Sequence, residues 1–316
     1  MTDTQNEVFK TPVNKIRLFE HGAPGSQNLK LTRKYYTEDM PDGRVKHIVQ
    51  NITDPDIVPY IPDGIGNSTD RQRIPAVLII PGGAFRRLVY NFEGEDVAKW
   101  LNSMGIAAFV LECRLPSDEH DNAEDVPLID AMRAMRVIRG RAQEFGIDEA
   151  KIGVMGFSAG FMAALLSTAY ESDVYADYKY KDEYDKLSAR PDFAVCSYPV
   201  ISIDDCIEAG KRYMSEEQVL ERISDSKAKI LHKYNPDKLV RPDMPPVFIC
   251  ETDDDRTTLS ENSVGFYMAA RKAGVSAELH IFRTGGHGYG CGDDFAQTGE
   301  WKVLFTKWIK SIGIIS

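Results

Sequence analysis

Gly156-Phe157-Ser158-Ala159-Gly160 follows the run Lys151-Ile152-Gly153-Val154-Met155 and leads directly into Phe161-Met162-Ala163-Ala164-Leu165-Leu166. The first run reads as a buried strand over Lys151 to Gly156 and the second as part of a helix from Ala159 to Tyr170. A G-x-S-x-G pentapeptide between a buried strand and a helix demands a sharp turn. That turn lifts the serine hydroxyl above the C-terminal edge of a sheet. The small flanking residues let strand and helix approach closely. The backbone N–H of Ala159 then stands at a helix N-terminus, where partial positive charge favours an oxyanion. Ser158 is thus a candidate nucleophile, the alternative being an ordinary glycine-flanked turn with a capping serine.

Outward from this turn the chain alternates apolar runs with helical patterns. Ala76-Val77-Leu78-Ile79-Ile80 is apolar throughout, as a central parallel strand is, and Pro81-Gly82-Gly83 ends it. Further strands are expected at Ile106 to Leu111, Asp192 to Ser197, Pro246 to Cys250 and Ala277 to Phe282. Helices are expected at Gly94 to Ser103, Leu128 to Phe145, Ser260 to Ala273 and Trp301 to Ile309. Such alternation implies an α/β fold, a mainly parallel central sheet with helices on both faces. One domain over 1–316 is expected. Within it, residues 1–70 form an N-terminal extension packed on the core, with short strand-like runs at Lys46 to Asn51 and Asp56 to Ile61. Two segments, 170–190 and 202–242, read as insertions. They are candidates for a small cap, with solvated surface excursions an equal alternative.

A serine needs a base, and the base needs an orienting carboxylate. Beyond Ser158 the histidines are His232, His280 and His287. His280 alternates within an expected strand and His232 lies in an insertion. His287 lies in Gly285-Gly286-His287-Gly288-Tyr289-Gly290, between the last strand and the last helix, and is the candidate base. The carboxylate is expected at the end of the fifth strand, where Asp253-Asp254-Asp255 stands and Glu251 is an outside candidate. Spacing does not choose among them, but three adjacent acids are not all buried cheaply, so the others face solvent or cap a helix. The Pro81-Gly82-Gly83-Ala84-Phe85 loop offers further N–H donors. Gly83 and Ala84 are the candidates, with Gly82 as the turn, beside Ala159 of the elbow.

The chain has 316 residues, 43% hydrophobic, with a formal net charge of −10. That apolar share suffices for a large core. The acidic balance speaks against nucleic acid and against an anionic membrane surface. Met1 to Lys10 is polar with no apolar run behind it, and no stretch approaches the length of a membrane span. Five scattered cysteines without C-x-x-C spacing read as reduced thiols, not disulfides or a zinc site. A cytoplasmic location is expected, with no metal and no organic cofactor. Whether the chain forms a homo-oligomer stays open.

Together these residues resemble bacterial α/β-hydrolases of the acetylxylan or feruloyl esterase-like group, related to the prolyl oligopeptidase and hormone-sensitive lipase branches. The likeness runs over nearly the whole chain. It includes Ile16-Arg17-Leu18-Phe19, the Pro-Gly-Gly loop, Glu93-Gly94-Glu95, Arg114-Leu115-Pro116, the elbow, Tyr198-Pro199-Val200-Ile201, Glu261-Asn262-Ser263 and the Gly-Gly-His-Gly loop. The resemblance implies an α/β-hydrolase fold and a Ser158, Asp255, His287 triad, because the family's acid stands at the position of Asp255. The chain departs from the family's pattern at Ala84, Phe161, Arg86, Arg87 and Thr257-Thr258-Leu259.

The expected reaction is hydrolysis of a short acyl ester through an acyl-enzyme on Ser158. Acetylated sugars or xylo-oligosaccharides are the substrates the resemblance suggests. Phe157 and Phe161 are candidates for lining an acyl pocket, though core packing explains them equally well. Arg86 and Arg87 are candidates for binding a substrate carboxylate, or else a solvated face. The alternatives are a serine peptidase or amidase of the same fold, and a non-catalytic binding protein.

Overall fold

The computed structural model describes residues 9, 13–64, 73–212, 214–215, 217–219, 225–292 and 297–316. The expected N-terminal extension and the 202–242 insertion therefore each fall partly outside the described residues.

The main sheet has eight strands in the spatial order β1-β4-β7-β5-β8-β9-β10-β11. These are β1 Ile16–Arg17, β4 Asp56–Tyr60, β5 Ile74–Ile80, β7 Ala107–Glu112, β8 Ile147–Phe157, β9 Ala194–Ser197, β10 Val247–Thr252 and β11 Ala277–Phe282. From β7 to β11 every neighbouring pair is parallel, while β1 and β4 add an antiparallel edge. A smaller antiparallel sheet joins β2 Lys34–Asp39, β3 Val45–Gln50 and β6 Leu88–Val89. The apolar runs Ala76–Ile80, Ala107–Leu111 and Ile152–Phe157 lie fully inside because both sheet faces are covered.

The helices are α1 Asp96–Ser103, α2 Val126–Gly140, α3 Ala142–Phe145, α4 Met162–Ala169, α5 Ile203–Lys211, α6 Asp225–Lys233, α7 Ser260–Lys272 and α8 Glu300–Ser311. Right-handed crossovers put α1 on one face and α2, α4 and α7 on the other. Trp100 of α1 packs edge-on against Trp301 and Phe305 of α8, closing the first face.

Three expected helices differ in detail. The one expected from Gly94 opens with a π-helical turn at Asn91–Glu95. The one expected over Leu128 to Phe145 breaks at Arg141 and ends at Gly146 in the left-handed region. The one after Ser158 begins as a tight 3-10 turn at Ser158–Phe161 before α4.

Strand order reverses direction between β5 and β8. The chain leaves β5 to build β7 on one side and returns to build β8 on the other. Loops at the C-terminal ends of two such strands diverge and leave a crevice between them. The Pro-Gly-Gly loop follows β5 and the Ser158 turn follows β8, with Ile80 and Gly156 paired in register at the rim.

Candidate active site

At that rim Ser158 sits at φ 52, a left-handed conformation costly for a side-chain-bearing residue. The turn is possible because its neighbours are small. A Cβ on Gly156 would collide with the Gly160 carbonyl oxygen and crowd Ala163, and one on Gly160 would collide with the Ile80 carbonyl. Gly82 lies against Phe157 and Ser158 in the same way. Three glycines thus bring the β5 loop, the elbow and the following helix into backbone contact.

The Ser158 Oγ stands 2.7 Å from Nε2 of His287. Nδ1–H of His287 in turn donates to Asp255 Oδ2, also at 2.7 Å. Asp255 is 3% exposed. Its Oδ1 accepts the N–H groups of Thr257 and Thr258, and its Oδ2 also accepts the Thr258 hydroxyl. Burial alone would raise its pKa. The hydrogen bond and positive charge offered by His287, with the two amides, outweigh burial and leave it below the usual carboxylate range.

The three neighbouring acids separate cleanly. Asp254 is exposed and accepts the N–H groups of Gly285 and Gly286, so it anchors the histidine loop. Asp253 is exposed. Glu251 is buried under the site, where it accepts from the Thr252 N–H and the Ser263 hydroxyl. Burial, then the Asp255 charge, pushes its pKa well up, the opposite direction to that of Asp255. His280 instead pairs with Glu278 on β11. His232 lies on α6.

The β5 loop carries Gly83 at φ 141, Ala84 at φ 58 and Phe85 at φ 63. A side chain at Gly83 would collide with the Arg87 carbonyl, so only glycine fits. Among the described residues no acceptor takes the Gly83 or Ala84 N–H, whereas the Gly82 N–H is held by Glu93 Oε2 at 2.9 Å. The Ala159 N–H stands in the first turn after the elbow, where a helix leaves its amides unpaired. Of the six non-glycine residues with positive φ among the described residues, Ala84, Phe85, Ser158 and Tyr198 all belong to this region. Clustered backbone strain of this sort marks functional sites.

The family model BD-FAE matches residues 65–269, well over half of the chain. The chain belongs to the BD-FAE family. This BD-FAE chain is 30% identical over 240 residues to an acetylxylan esterase of Xylanibacter ruminicola, covering 75% of the chain and 45% of that protein. It is 30% identical over 226 residues to endo-1,4-beta-xylanase B of Butyrivibrio fibrisolvens, covering 71% of the chain and 34% of that protein. The chain thus spans less than half the length of these curated relatives. The solved acetyl ester-xyloside bifunctional hydrolase from Caldicellulosiruptor lactoaceticus is 34% identical, with a TM-score of 0.72 over 96% of this chain and 97% of that one. The fold of the BD-FAE chain is accordingly that of the α/β-hydrolases.

Beside the serine turn, this BD-FAE chain has a small, mostly apolar cavity of about 20 Å3, lined by Phe85, Leu88, Cys113, Leu115, Ala159 and Met162 together with the β5 loop. Neither expected aromatic lines it. Phe157 and Phe161 are fully buried, one against Tyr198 and the other edge-on to Phe85, so they are core. Arg87 does reach the cavity wall, but its guanidinium pairs with Glu38, and Arg86 is exposed. Among the described residues there is no cluster of potential metal ligands, and no helix is long and apolar enough to cross a membrane.

Residue-by-residue reading missed the contacts that Thr258, Tyr198 and Glu93 make in this region. Thr258, one of the departures from the family pattern, bonds Asp255 and lies 3.3 Å from His287 Nδ1. Tyr198 packs edge-on against His287. Glu93 and Tyr198 both fall in motifs that carry the resemblance, which was the available signal.

Proposed function

We propose that this chain is a serine carboxylic-ester hydrolase that removes short acyl groups, acetyl above all, from hydroxylated substrates. What carries the reading is the unbroken run of 2.7 Å hydrogen bonds from Ser158 Oγ through His287 to Asp255, on a serine held in a strained turn at the sheet's rim. In the proposed reaction His287 Nε2 takes the Ser158 proton as Oγ bonds to the ester carbonyl carbon. The negative oxygen is held by the N–H groups of Ala159, Gly83 and Ala84; losing one such donor typically costs ~3 kcal/mol of barrier. The carbonyl re-forms, the C–O bond to the alcohol breaks, and His287 returns its proton to the leaving oxygen. Water then repeats the sequence on the acyl-enzyme, releasing the acid and restoring Ser158. Asp255 holds the imidazole with its proton on Nδ1.

The size of the adjacent cavity supports the acetyl preference. About 20 Å3 is room for one water-sized group, hence a methyl, beside the Ala159 amide and the β5 loop. The kinship with an acetylxylan esterase and an acetyl ester-xyloside hydrolase supports acetylated xylo-oligosaccharides as the alcohol side.

The test is to measure kcat/KM for p-nitrophenyl acetate, butyrate and octanoate and for methyl ferulate, with the wild type and Ser158→Ala. Acetate is expected to exceed octanoate by at least about tenfold, since one poorly fitting methylene is worth that much in a hydrophobic pocket. Ser158→Ala is expected to abolish turnover. A preference for octanoate or ferulate would sink the acetyl assignment, and equal activity in the variant would sink the nucleophile.

A further inference from the structure

Glu93 is a buried carboxyl for which the reaction above has no use. It lies in the π-helical turn Asn91–Glu95 ahead of α1 and is 4% exposed. Insertions of this wide turn into helices recur at functional sites. Its two oxygens have separate tasks. Oε2 accepts the N–H of Gly82 at 2.9 Å, at the head of the loop that carries Gly83 and Ala84. Oε1 accepts the hydroxyl of Tyr198 at 2.9 Å. The Tyr198 oxygen in turn accepts the N–H of Gly290 at 3.0 Å, at the end of the loop that carries His287. The Tyr198 ring packs edge-on against the imidazole with centroids 5.0 Å apart.

We propose that Glu93 is a positioning residue that works ionised, joining the oxyanion loop to the histidine loop through Tyr198 and placing a negative charge beside the His287 imidazole. Both contacts need an acceptor. An amide N–H only donates, and the Tyr198 oxygen already receives Gly290, which leaves its own proton for Glu93. No arginine or lysine bonds this carboxylate among the described residues. Burial raises its pKa, and the rise persists although the charge of His287, the Tyr198 hydroxyl, the Gly82 amide and the more distant Lys46 oppose it; the case for the ionised form is the geometry, two donors aimed at its two oxygens. The charge is thus costly at this place unless the site uses it. Its use falls at the step where His287 becomes an imidazolium and the loop amides meet the oxyanion. One side chain then fixes the donors and favours the cation. Asp255 faces the imidazole from Nδ1, so the cation lies under the influence of two carboxylates.

This inference rests on the esterase reading, and wild-type turnover of p-nitrophenyl acetate is its control. The experiment compares wild type, Glu93→Gln and Tyr198→Phe by kcat, KM and the pH dependence of kcat/KM, with active sites counted by a fluorophosphonate. Glu93→Gln removes the charge at nearly constant shape. It is expected to lower kcat roughly tenfold to a hundredfold with KM within about threefold, as misaligned oxyanion donors do. It is also expected to move the acid limb of kcat/KM to lower pH, because the imidazolium loses a neighbouring negative charge. Tyr198→Phe breaks the link between the loops but keeps the carboxylate, so kcat falls while the acid limb moves less. A residue that only props up the fold would reduce the count of reactive sites and leave the limb in place. An active wild type with kcat and acid limb unchanged in Glu93→Gln overturns the proposal. If Glu93→Gln does not fold, Tyr198→Phe decides alone, and an unchanged kcat in it overturns the proposal. No turnover by the wild type removes the esterase reading itself, and the positioning role with it.

Discussion

Behind His287, Asp255 has both oxygens occupied, Oδ1 by two amides and Oδ2 by the imidazole and the Thr258 hydroxyl. Its neighbour Asp254 instead holds two glycine amides of the histidine loop. The two substitutions to asparagine should therefore part company. In Asp255→Asn the amide presents a donor where Nδ1–H needs an acceptor, which favours the wrong tautomer; kcat is expected to fall by roughly 10⁴-fold. In Asp254→Asn the amide oxygen still accepts from Gly285 and Gly286, so kcat should fall less than about tenfold. Steady-state kinetics on p-nitrophenyl acetate measure both, and equal losses would undo the assignment. The depressed pKa of Asp255 adds a condition of pH. Its stabilising contribution is present above the ordinary carboxylate value of 3.8 and is lost only as pH falls through the lower folded value. Mildly acidic buffers therefore leave Asp255 ionised beside His287.

At the level of elements, the unit is β5 and its loop against β8, the elbow and α4. Gly82, Gly156 and Gly160 are its close contacts, and Gly160→Ala tests them. The added methyl meets the Ile80 carbonyl, a backbone atom that cannot rotate away. Destabilisation of ~1–3 kcal/mol is expected from such overpacking. The loss of kcat should exceed what the unfolded fraction explains, because the loop proposed to hold the oxyanion moves with β5. Urea denaturation beside kinetics reads both, and a variant of wild-type stability would show that strand and helix have slack. This unit was also the most legible part of the sequence. Its strands are continuous apolar runs, and its glycines flank a serine at a spacing few other structures require. The residues hydrogen-bonded in line with Ser158 were legible only in part. His287 stood out by its loop, but the choice among three consecutive aspartates depends on backbone turns that bury one side chain and expose two. Lys34–Asp39 escaped notice as a strand because Lys-Tyr-Tyr-Thr-Glu-Asp has no apolar alternation, and its side chains are half-buried or exposed. The break in the helix at Arg141 follows Gly140, a poor helix former, but Arg139, Arg141 and Ala142 around that glycine favour helix and masked it. Glu93 and Tyr198 act across 105 residues of chain, a distance at which periodicity carries no information.

Across the whole molecule, the segment ahead of β4 is fastened to the sheet by buried charge. Arg114, just beyond β7, forms a fully buried ion pair with Asp130 of α2, and its remaining nitrogen reaches the Pro24 carbonyl and the Ser26 hydroxyl at 2.8 Å. Since Ser26 accepts from Arg114, its own proton goes to Nδ1 of His120 at 3.0 Å. That arrangement requires a neutral imidazole with Nδ1 unprotonated. Burial, and then the Arg114 charge, lower the His120 pKa from 6.5 to about 4. The unfolded chain consequently binds a proton at this residue between about pH 6.5 and 4 while the folded chain does not. Stability contributed here is fully present above pH 6.5 and is lost as pH falls toward 4. In His120→Gln the amide oxygen can still accept from Ser26, but nothing titrates. The stability advantage of the wild type over this variant is therefore expected to shrink steadily from pH 7 to pH 4 in urea denaturation. An advantage that stays constant, or grows, over that range would mean that His120 is already charged in the folded protein. The anchorage of Ser26 to Arg114 would then have to be rebuilt around a cation.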